Sequence, residues 1–391
     1  MPDSLVPELP EGLFDHLVAI RRDIHAHPEL SFEEHRTGEC VATELEAIGL
    51  SPLRGVAKTG VVAELGKNGP AVALRADLDA LPITEECLSP YRSQTPGVMH
   101  ACAHDGHTAM LLGAATLLAA NPPPEGRVRF LFQPAEEKGN GAELVCQEGH
   151  MEDVQAVFGV HVDVRFPTGH LIVNPGPMNA NSRAFEIELV GKSSHAARPH
   201  LGIDALVAGA ALVQSLQTLV ARQLPPSTPA VVTVGTFSAG EGHNVLAGKA
   251  LLRGTIRCFD RAIAVELEEG LTRIAESVAQ AHRCGVSVRL GEGCSVVLND
   301  PAVTAIATDV GRDLLGVDAV HPLAEPNMGA EDFCFYLDHA PGCYARLGAG
   351  SGLSESPSPA HSSTFEWDER VIAVGARYFE GVARKTLGSL T

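Results

Sequence analysis

The chain has 391 residues, 45% of them hydrophobic and 20% charged, with a formal net charge of −19. That is a globular composition with room for two cores, not a disordered one. The negative balance argues against nucleic acid or an anionic membrane surface as partner, because phosphate binding needs a basic face.

Nine cysteines, at 40, 87, 102, 146, 258, 284, 294, 334 and 343, form no CxxC pair. A disulfide framework is not expected, and a reducing cytoplasm is the simpler setting. The N-terminal MPDSLVPELPEGLFDHL lacks the basic-then-apolar order of a signal peptide. No apolar stretch is read as reaching the ~18 residues of a membrane span.

In chain order, residues 12–25 and 32–50 read as helices. Ala71 to Leu74 is a short apolar strand that runs into RADLDALP. Thr108 to Ala120, TAMLLGAATLLAA, is apolar nearly all round and reads as a buried helix stopped by Asn121 and three prolines. Val128 to Phe132 is a strand followed by QPAEE, and Val157 to Val160 a strand followed by His161. Three strands therefore end at acidic or imidazole side chains, where ligand sites of open α/β sheets collect.

The pattern then changes. Ala184 to Val190 alternates like a half-buried strand. Ile203 to Arg222 is a long helix, Ala230 to Phe237 and Ala250 to Cys258 are strands, Arg261 to Arg283 is a second long helix, and Val286 to Leu290 is a last strand. The order β-α-β-β-α-β is that of a ferredoxin-like unit. The expected fold is α/β, with one domain from residues 1–181 plus 296–391 and a small βαββαβ domain inserted over 182–295. The linkers would lie near 176–183 and 291–300.

Chemistry-bearing residues cluster in MHACAHDGHT (99–108). In an extended segment Cys102 and His104 would point to one side and reach one metal. His100 has the same parity, so spacing does not exclude it. Asp105 and Thr108 suit the start of a helix, where short polar side chains cap amides. Glu136 and Glu137 would point opposite ways in extended chain. One suits metal ligation and the other a general base facing water. Asp77 and Asp79 are either loop carboxylates or orienters of a ligand histidine.

Five segments together carry a resemblance: ALRADLDALPI (73–83), MHACAHDGHTAMLLGAA (99–115), FLFQPAEEKGNGA (130–142), FGVHV (158–162) and AEDFCFYLDHAPGCY (330–344). They resemble the amidohydrolase branch of the dinuclear aminoacylase/carboxypeptidase metallohydrolases, which includes hippurate hydrolases, N-acyl-amino-acid amidohydrolases and hydrolases of indoleacetyl–amino acid conjugates. The resemblance extends from RRDIHAHPELSFEEHRT (21–37) to AHSSTFEWDE (360–369). It implies a metallopeptidase-type mixed-sheet catalytic domain whose inserted domain acts as a lid and dimerisation module. It implies two divalent ions bridged by Cys102, with His104 and His161 on one ion and Glu137 and His361 on the other. Glu136 would be the general base, and Asp79 would hold a ligand imidazole in its tautomer. His195, in the HAARPH block (195–200), would steady the oxyanion or the substrate carboxylate, in its own or a partner subunit. Asn244 and Arg257 are further substrate-contact candidates, although a strand-surface arginine is an equal reading of Arg257. His100 and His107 would not be ligands.

The implied reaction is hydrolysis of N-acyl-L-amino acids, N-acetyl, N-benzoyl or similar, to a carboxylic acid and an amino acid. Zinc or manganese is the expected metal, with cobalt or nickel as alternatives. A homodimer or homotetramer is implied. A dipeptidase or carboxypeptidase with the same machinery is the near alternative, and a metal-binding protein without catalysis the distant one. The sequence departs from the family pattern at Cys102-Ala103-His104, where C-G-H is common, at Ser193-Ser194-His195, where G-G-H is common, and at His361-Ser362-Ser363, where a proline is frequent after the histidine.

Overall fold

The computed structural model describes residues 5–351 and 358–390. The first four residues of the N-terminal segment and the last residue of the expected first domain lie outside them. Helix α1 (Leu13–Ala26) buries Leu17, Ile20 and Ile24 on one face, and α2 (His35–Ala47) buries Val41, Ala42 and Leu45. That three-to-four spacing makes both amphipathic. Strands β1 (Leu53–Val56) and β2 (Gly60–Leu65) lead to β3 (Ala71–Asp77), which is buried along its whole length. The strand outlasts its apolar run because Arg75 and Asp77 neutralise each other inside, Nη1 to Oδ2 at 2.7 Å.

Helix α3 (His104–Ala120) starts four residues before the apolar stretch that announces it. Gly113 lets it approach its neighbours. A Cβ there would lie 2.7 Å from Leu17 Cδ1 and 2.8 Å from the Ala376 Cβ. After β4 (Arg127–Gln133) and α4 (Gly141–Gln147) comes β5 (Val154–Pro167). The sequence suggests that β5 ends at Val160, yet it continues for seven more residues. His161 is therefore inside a strand, not beyond its end.

The chain goes on through β6 (Leu171–Ile172), β7 (Gly176–Asn179), β8 (Ser182–Val190), α5 (Ala205–Thr218), β9 (Ala230–Ala239), β10 (Lys249–Cys258), α6 (Arg261–His282) and β11 (Gly285–Cys294). Then follow β12 (Val297–Asn299), α7 (Pro301–Leu315), β13 (Val320–His321), α8 (Cys334–Leu337), β14 (Gly342–Gly350) and α9 (Val371–Leu390). The expected linkers are thus largely strand: β7 and the start of β8 on one side, the end of β11 and β12 on the other.

The chain divides into two compact units. The first runs to Met178, resumes over Val297–Glu325 and again from Asp332. It holds an eight-stranded mixed sheet in the order β1-β2-β4-β3-β5-β14-β6-β13. At its centre β3 is parallel to β4 and β5, and β14 is parallel to β5 from Gly342↔Val157 to Gly350↔Pro167. This pairing explains the length of β5. Helices α1, α3 and α9 pack together beside this sheet, with α3 and α9 both against β3.

The second unit is Asn179–Val296 together with Pro326–Glu331. The sequence assigns residues 326–331 to the other domain. They cluster here because Asn327 bridges to Asn179 and Met328 O accepts from Arg257. The unit's four-stranded antiparallel sheet, β11-β8-β10-β9, is the ferredoxin-like order. Along β8, buried Phe185, Ile187 and Leu189 alternate with Glu186 and Glu188. Glu186 pairs with Arg253 and Arg289, and Glu188 with Lys249. Asp204 caps α5 and Asp260 caps α6 by accepting two amides each. The stretch Ala205–Gln223 is long and apolar enough to cross a membrane by length and composition, which corrects the sequence reading. In this unit it packs on β9 and β10.

Candidate metal centre

Three side chains from different elements converge at Cys102. Cys102 Sγ, a nitrogen of His104 and a nitrogen of His161 all lie within 4.8 Å of one another. Cys102 and His104 do not share an extended segment. Ala103 between them is left-handed, with φ 64°, and forms the N-cap of α3. The turn, not strand parity, brings the pair to one side. It also explains why glycine suits the position, since a Cβ disfavours that conformation.

Each imidazole is oriented by its Nδ1. His104 Nδ1 donates to the Asp79 carbonyl at 2.9 Å and meets Asp79 Oδ1 at 3.2 Å. His161 Nδ1 donates to the Val162 carbonyl at 2.6 Å. In the neutral form of each ring the lone pair therefore sits on Nε2. His161 Nε2 lies 3.4 Å from Cys102 Sγ, and His104 Nε2 is buried with no hydrogen-bond partner.

A second group shares the same cysteine: Cys102, Glu137 and His361, again within 4.8 Å of one another. His361 Nε2 lies 3.3 Å from Glu137 Oε1, an oxygen that is buried without a hydrogen-bond partner. Glu136 and Glu137 sit in a turn, not in extended chain, because Ala135 is left-handed with φ 55°. Asp79 holds that turn: Oδ1 accepts the Glu136 amide at 3.1 Å and Oδ2 the Glu137 amide at 3.0 Å. Glu136 and Glu137 both come within ligand range of His104.

The electrostatics favour a cation. Burial alone would lower the His104 pKa, but the Asp77 charge and the Asp79 hydrogen bond raise it well above the imidazole range. The neighbouring Cys102 and Glu137 side chains push His361 up to about 10. Burial, reinforced by His107 and Arg346, pushes His161 down and keeps it neutral. Despite burial, His104 and Ser31 hold Asp79 below the usual carboxylate range.

The remaining members of MHACAHDGHT have other work. His107 Nδ1 donates to Asp77 Oδ1 at 2.7 Å, and its Nε2 accepts the Val162 amide at 2.9 Å. Both nitrogens are engaged, tying β3 to β5. His100 is buried with neither nitrogen partnered, and burial pushes it down to about 4. Asp105 accepts the Gly106 amide, but its main partners are Arg21 and His25, at 2.7 and 2.8 Å. Thr108 donates to the Asp77 carbonyl at 3.0 Å. Neither supplies the N-cap that the sequence suggests, since the cap residue is Ala103.

Several residues that shape the site carried no role in the sequence reading. Asp332 accepts from Arg75, from the Gln133 side chain and from the Ala142 amide, spanning the glutamate turn from Gln133 to Ala142. Gly141 closes this turn, since a Cβ there would overlap Pro134 O. Glu34 accepts the Ala135 amide at 2.8 Å and the Thr59 hydroxyl at 2.6 Å. Both acids lie in the blocks that carry the resemblance, which was the available signal.

In the second unit, His195 Nδ1 accepts the Ala197 amide at 3.0 Å, so Nε2 carries the proton. The Asn244 carbonyl accepts the Ala196 amide beside it. Arg257 donates to the Met328 carbonyl at 2.9 Å.

The donors fit a divalent metal centre. One thiol, three imidazoles and one carboxylate converge, with two buried donor atoms unpartnered and Cys102 common to both groups. A model of peptidase family M20/M25/M40 matches residues 73–385. The chain belongs to that family. The chain is 36% identical over 376 residues to the N-acetyl-L-cysteine deacetylase of Bacillus subtilis, covering 95% of this chain and 88% of that one. It is 38% identical over 380 residues to IAA-amino acid hydrolase ILR1-like 4 of Arabidopsis thaliana, covering 96% and 86%. Its fold matches a crystal structure of the Bacillus subtilis YXEP protein, described as a dinuclear metal-binding peptidase of the M20 family. That match has a TM-score of 0.85 and 32% identity, and covers 97% of this chain and all of the other. This family member is a metal-dependent hydrolase of amide bonds.

Proposed function

We propose that the chain hydrolyses N-acyl-L-amino acids, with small or aromatic acyl groups, to a carboxylic acid and a free amino acid. The observation that carries this reading is one cysteine shared by two ligand groups, beside a turn that presents two adjacent glutamates. In this reading Cys102 bridges, His104 and His161 serve one ion, and Glu137 and His361 the other. Two divalent ions held there, zinc or manganese, would supply an acidified water and a Lewis acid for the amide carbonyl.

The protein's own residues do the rest. Glu136 takes a proton from the attacking water as its oxygen bonds to the carbonyl carbon. It returns that proton to the nitrogen as the C–N bond breaks, so the amine leaves neutral. Asp79 keeps His104 in the tautomer whose Nε2 is a lone pair. His195 offers Nε2–H to developing negative charge, and Asn244 and Arg257 are assigned to the substrate carboxylate.

The same reading proposes a homodimer or homotetramer. Leu206 and Val207 on α5, with Val231 and Phe237 on β9, are 39–50% exposed, an apolar set suited to a second copy. A cytoplasmic location is supported by nine cysteines, none of them in a disulfide.

The test is a hydrolysis screen of N-acetyl- and N-benzoyl-L-amino acids, with Zn²⁺ and Mn²⁺ supplied separately. Turnover that depends on the metal is expected. No hydrolysis of any member by the metal-loaded protein would overturn the reading, and faster hydrolysis of dipeptides would replace it with a dipeptidase.

A further inference from the structure

The turn that carries Glu136 and Glu137 is held by buried carboxylates through its main chain. Asp79 takes the two glutamate amides, and Asp332 takes the Ala142 amide at its far end. Glu34, wholly buried, takes the Ala135 amide just before the glutamates at 2.8 Å. Its other oxygen is anchored by the Thr59 hydroxyl at 2.6 Å. Ala135 is left-handed, a conformation that a Cβ disfavours. It is also fully buried, so its amide has no recourse to water. Any other conformation at Ala135 would rotate the following peptide and swing both glutamate side chains.

We propose that Glu34 is a positioning residue: by accepting the Ala135 amide it keeps Ala135 left-handed and thereby aims Glu136 and Glu137 at the cysteine-centred metal pair. The inference rests on the metal-dependent reading of that site. It has a distinctive consequence. Glycine adopts left-handed backbone without help, so glycine at 135 makes Glu34 dispensable for aiming the two glutamates.

The test is a cycle in the full-length chain: Glu34→Ala and Glu34→Gln, each with and without Ala135→Gly. Zn²⁺ titration into metal-free protein and hydrolysis of an N-acetyl-amino acid are the two readouts. Glu34→Ala is expected to weaken one of the two ions and to lower kcat by about 10- to 100-fold, with KM moved less. Glu34→Gln keeps an oxygen for the Ala135 amide and is expected to stay within about threefold of the parent. With Ala135→Gly present, Glu34→Ala is expected to cost no more than about twofold relative to Ala135→Gly alone. An equal loss in both backgrounds, or Glu34→Gln as damaging as Glu34→Ala, would overturn the proposal. If Glu34→Ala does not fold, Glu34→Asp, which withdraws the oxygen by one methylene, takes its place in the cycle, and the same two outcomes overturn the proposal. The titration reads the ligand turn directly. A parent chain that binds two ions and hydrolyses nothing overturns the activity and leaves this cycle decisive.

Discussion

Asp79 and His104 are joined twice, by the Asp79 carbonyl at 2.9 Å and by its Oδ1 at 3.2 Å, both meeting His104 Nδ1. The same carboxylate receives the amides of Glu136 and Glu137. One residue therefore sets the tautomer of one proposed ligand, through its carbonyl and its carboxylate, and the main-chain position of another. Asp79→Ala is expected to lower metal affinity by roughly 10- to 100-fold, measured by metal titration. Affinity unchanged from the parent would remove Asp79 from that role.

The two groups of candidate ligands share Cys102. Cys102→Ala is therefore expected to lose at least one ion. His107→Gln is expected to keep both, because both of its ring nitrogens are engaged with Asp77 and Val162. Its cost should appear in stability, at about 1–3 kcal/mol for a buried polar group left unpaired. Elemental analysis alongside thermal melts separates these outcomes, and an ion missing from His107→Gln would contradict them.

Glu136→Gln is expected to retain its metal content and lose turnover by about 100-fold or more, since the amide cannot take the water's proton. Turnover near the parent value would disqualify Glu136 as the base.

A buried ion-pair cluster behind the site links folding to pH. His25 lies between Asp105 Oδ2 at 2.8 Å and Glu85 Oε1 at 3.3 Å. Burial would lower its pKa, but Asp105 and Glu85 raise it overall. Burial would raise Asp105, but Arg21 and His25 hold it far below its ordinary value. A lowered carboxylate adds stability above its unfolded pKa, about 3.9, and loses it as pH falls toward the folded value. A raised imidazole adds stability below about 6.5 and loses it as pH climbs through the folded value. The cluster is therefore fully effective between about pH 4 and 6.5. Asp105→Asn should lower the melting temperature at pH 5.5 and shrink the fall seen between pH 5.5 and 3. An unchanged pH profile would show that Asp105 does not carry this linkage.

Much of this protein is legible before any coordinates. An unbroken apolar run locates α3, and apolar periodicity locates α5, α6 and the alternating strand β8, because each of these declares its buried face in its own residues. The blocks around Cys102, Glu136, His161 and His361 point to the chemistry through the family resemblance they carry, and His361 rests on that resemblance alone.

What the sequence does not contain is the conformation of single linking residues and the partners of buried charges. Ala103 and Ala135 are left-handed. Neither has side-chain chemistry that would announce it, yet these two turns, and not strand parity, aim Cys102, His104, Glu136 and Glu137. Strand β3 runs on through Arg75 and Asp77, and β5 runs on through His161. A charge ends an apolar pattern but does not end a strand whose partner neutralises it. The assignment of His107 as a strap between β3 and β5, and of Glu34, Asp79 and Asp332 as holders of one turn, belongs to tertiary structure alone. Each depends on hydrogen bonds between residues distant in the chain, and local periodicity carries no information about such pairs.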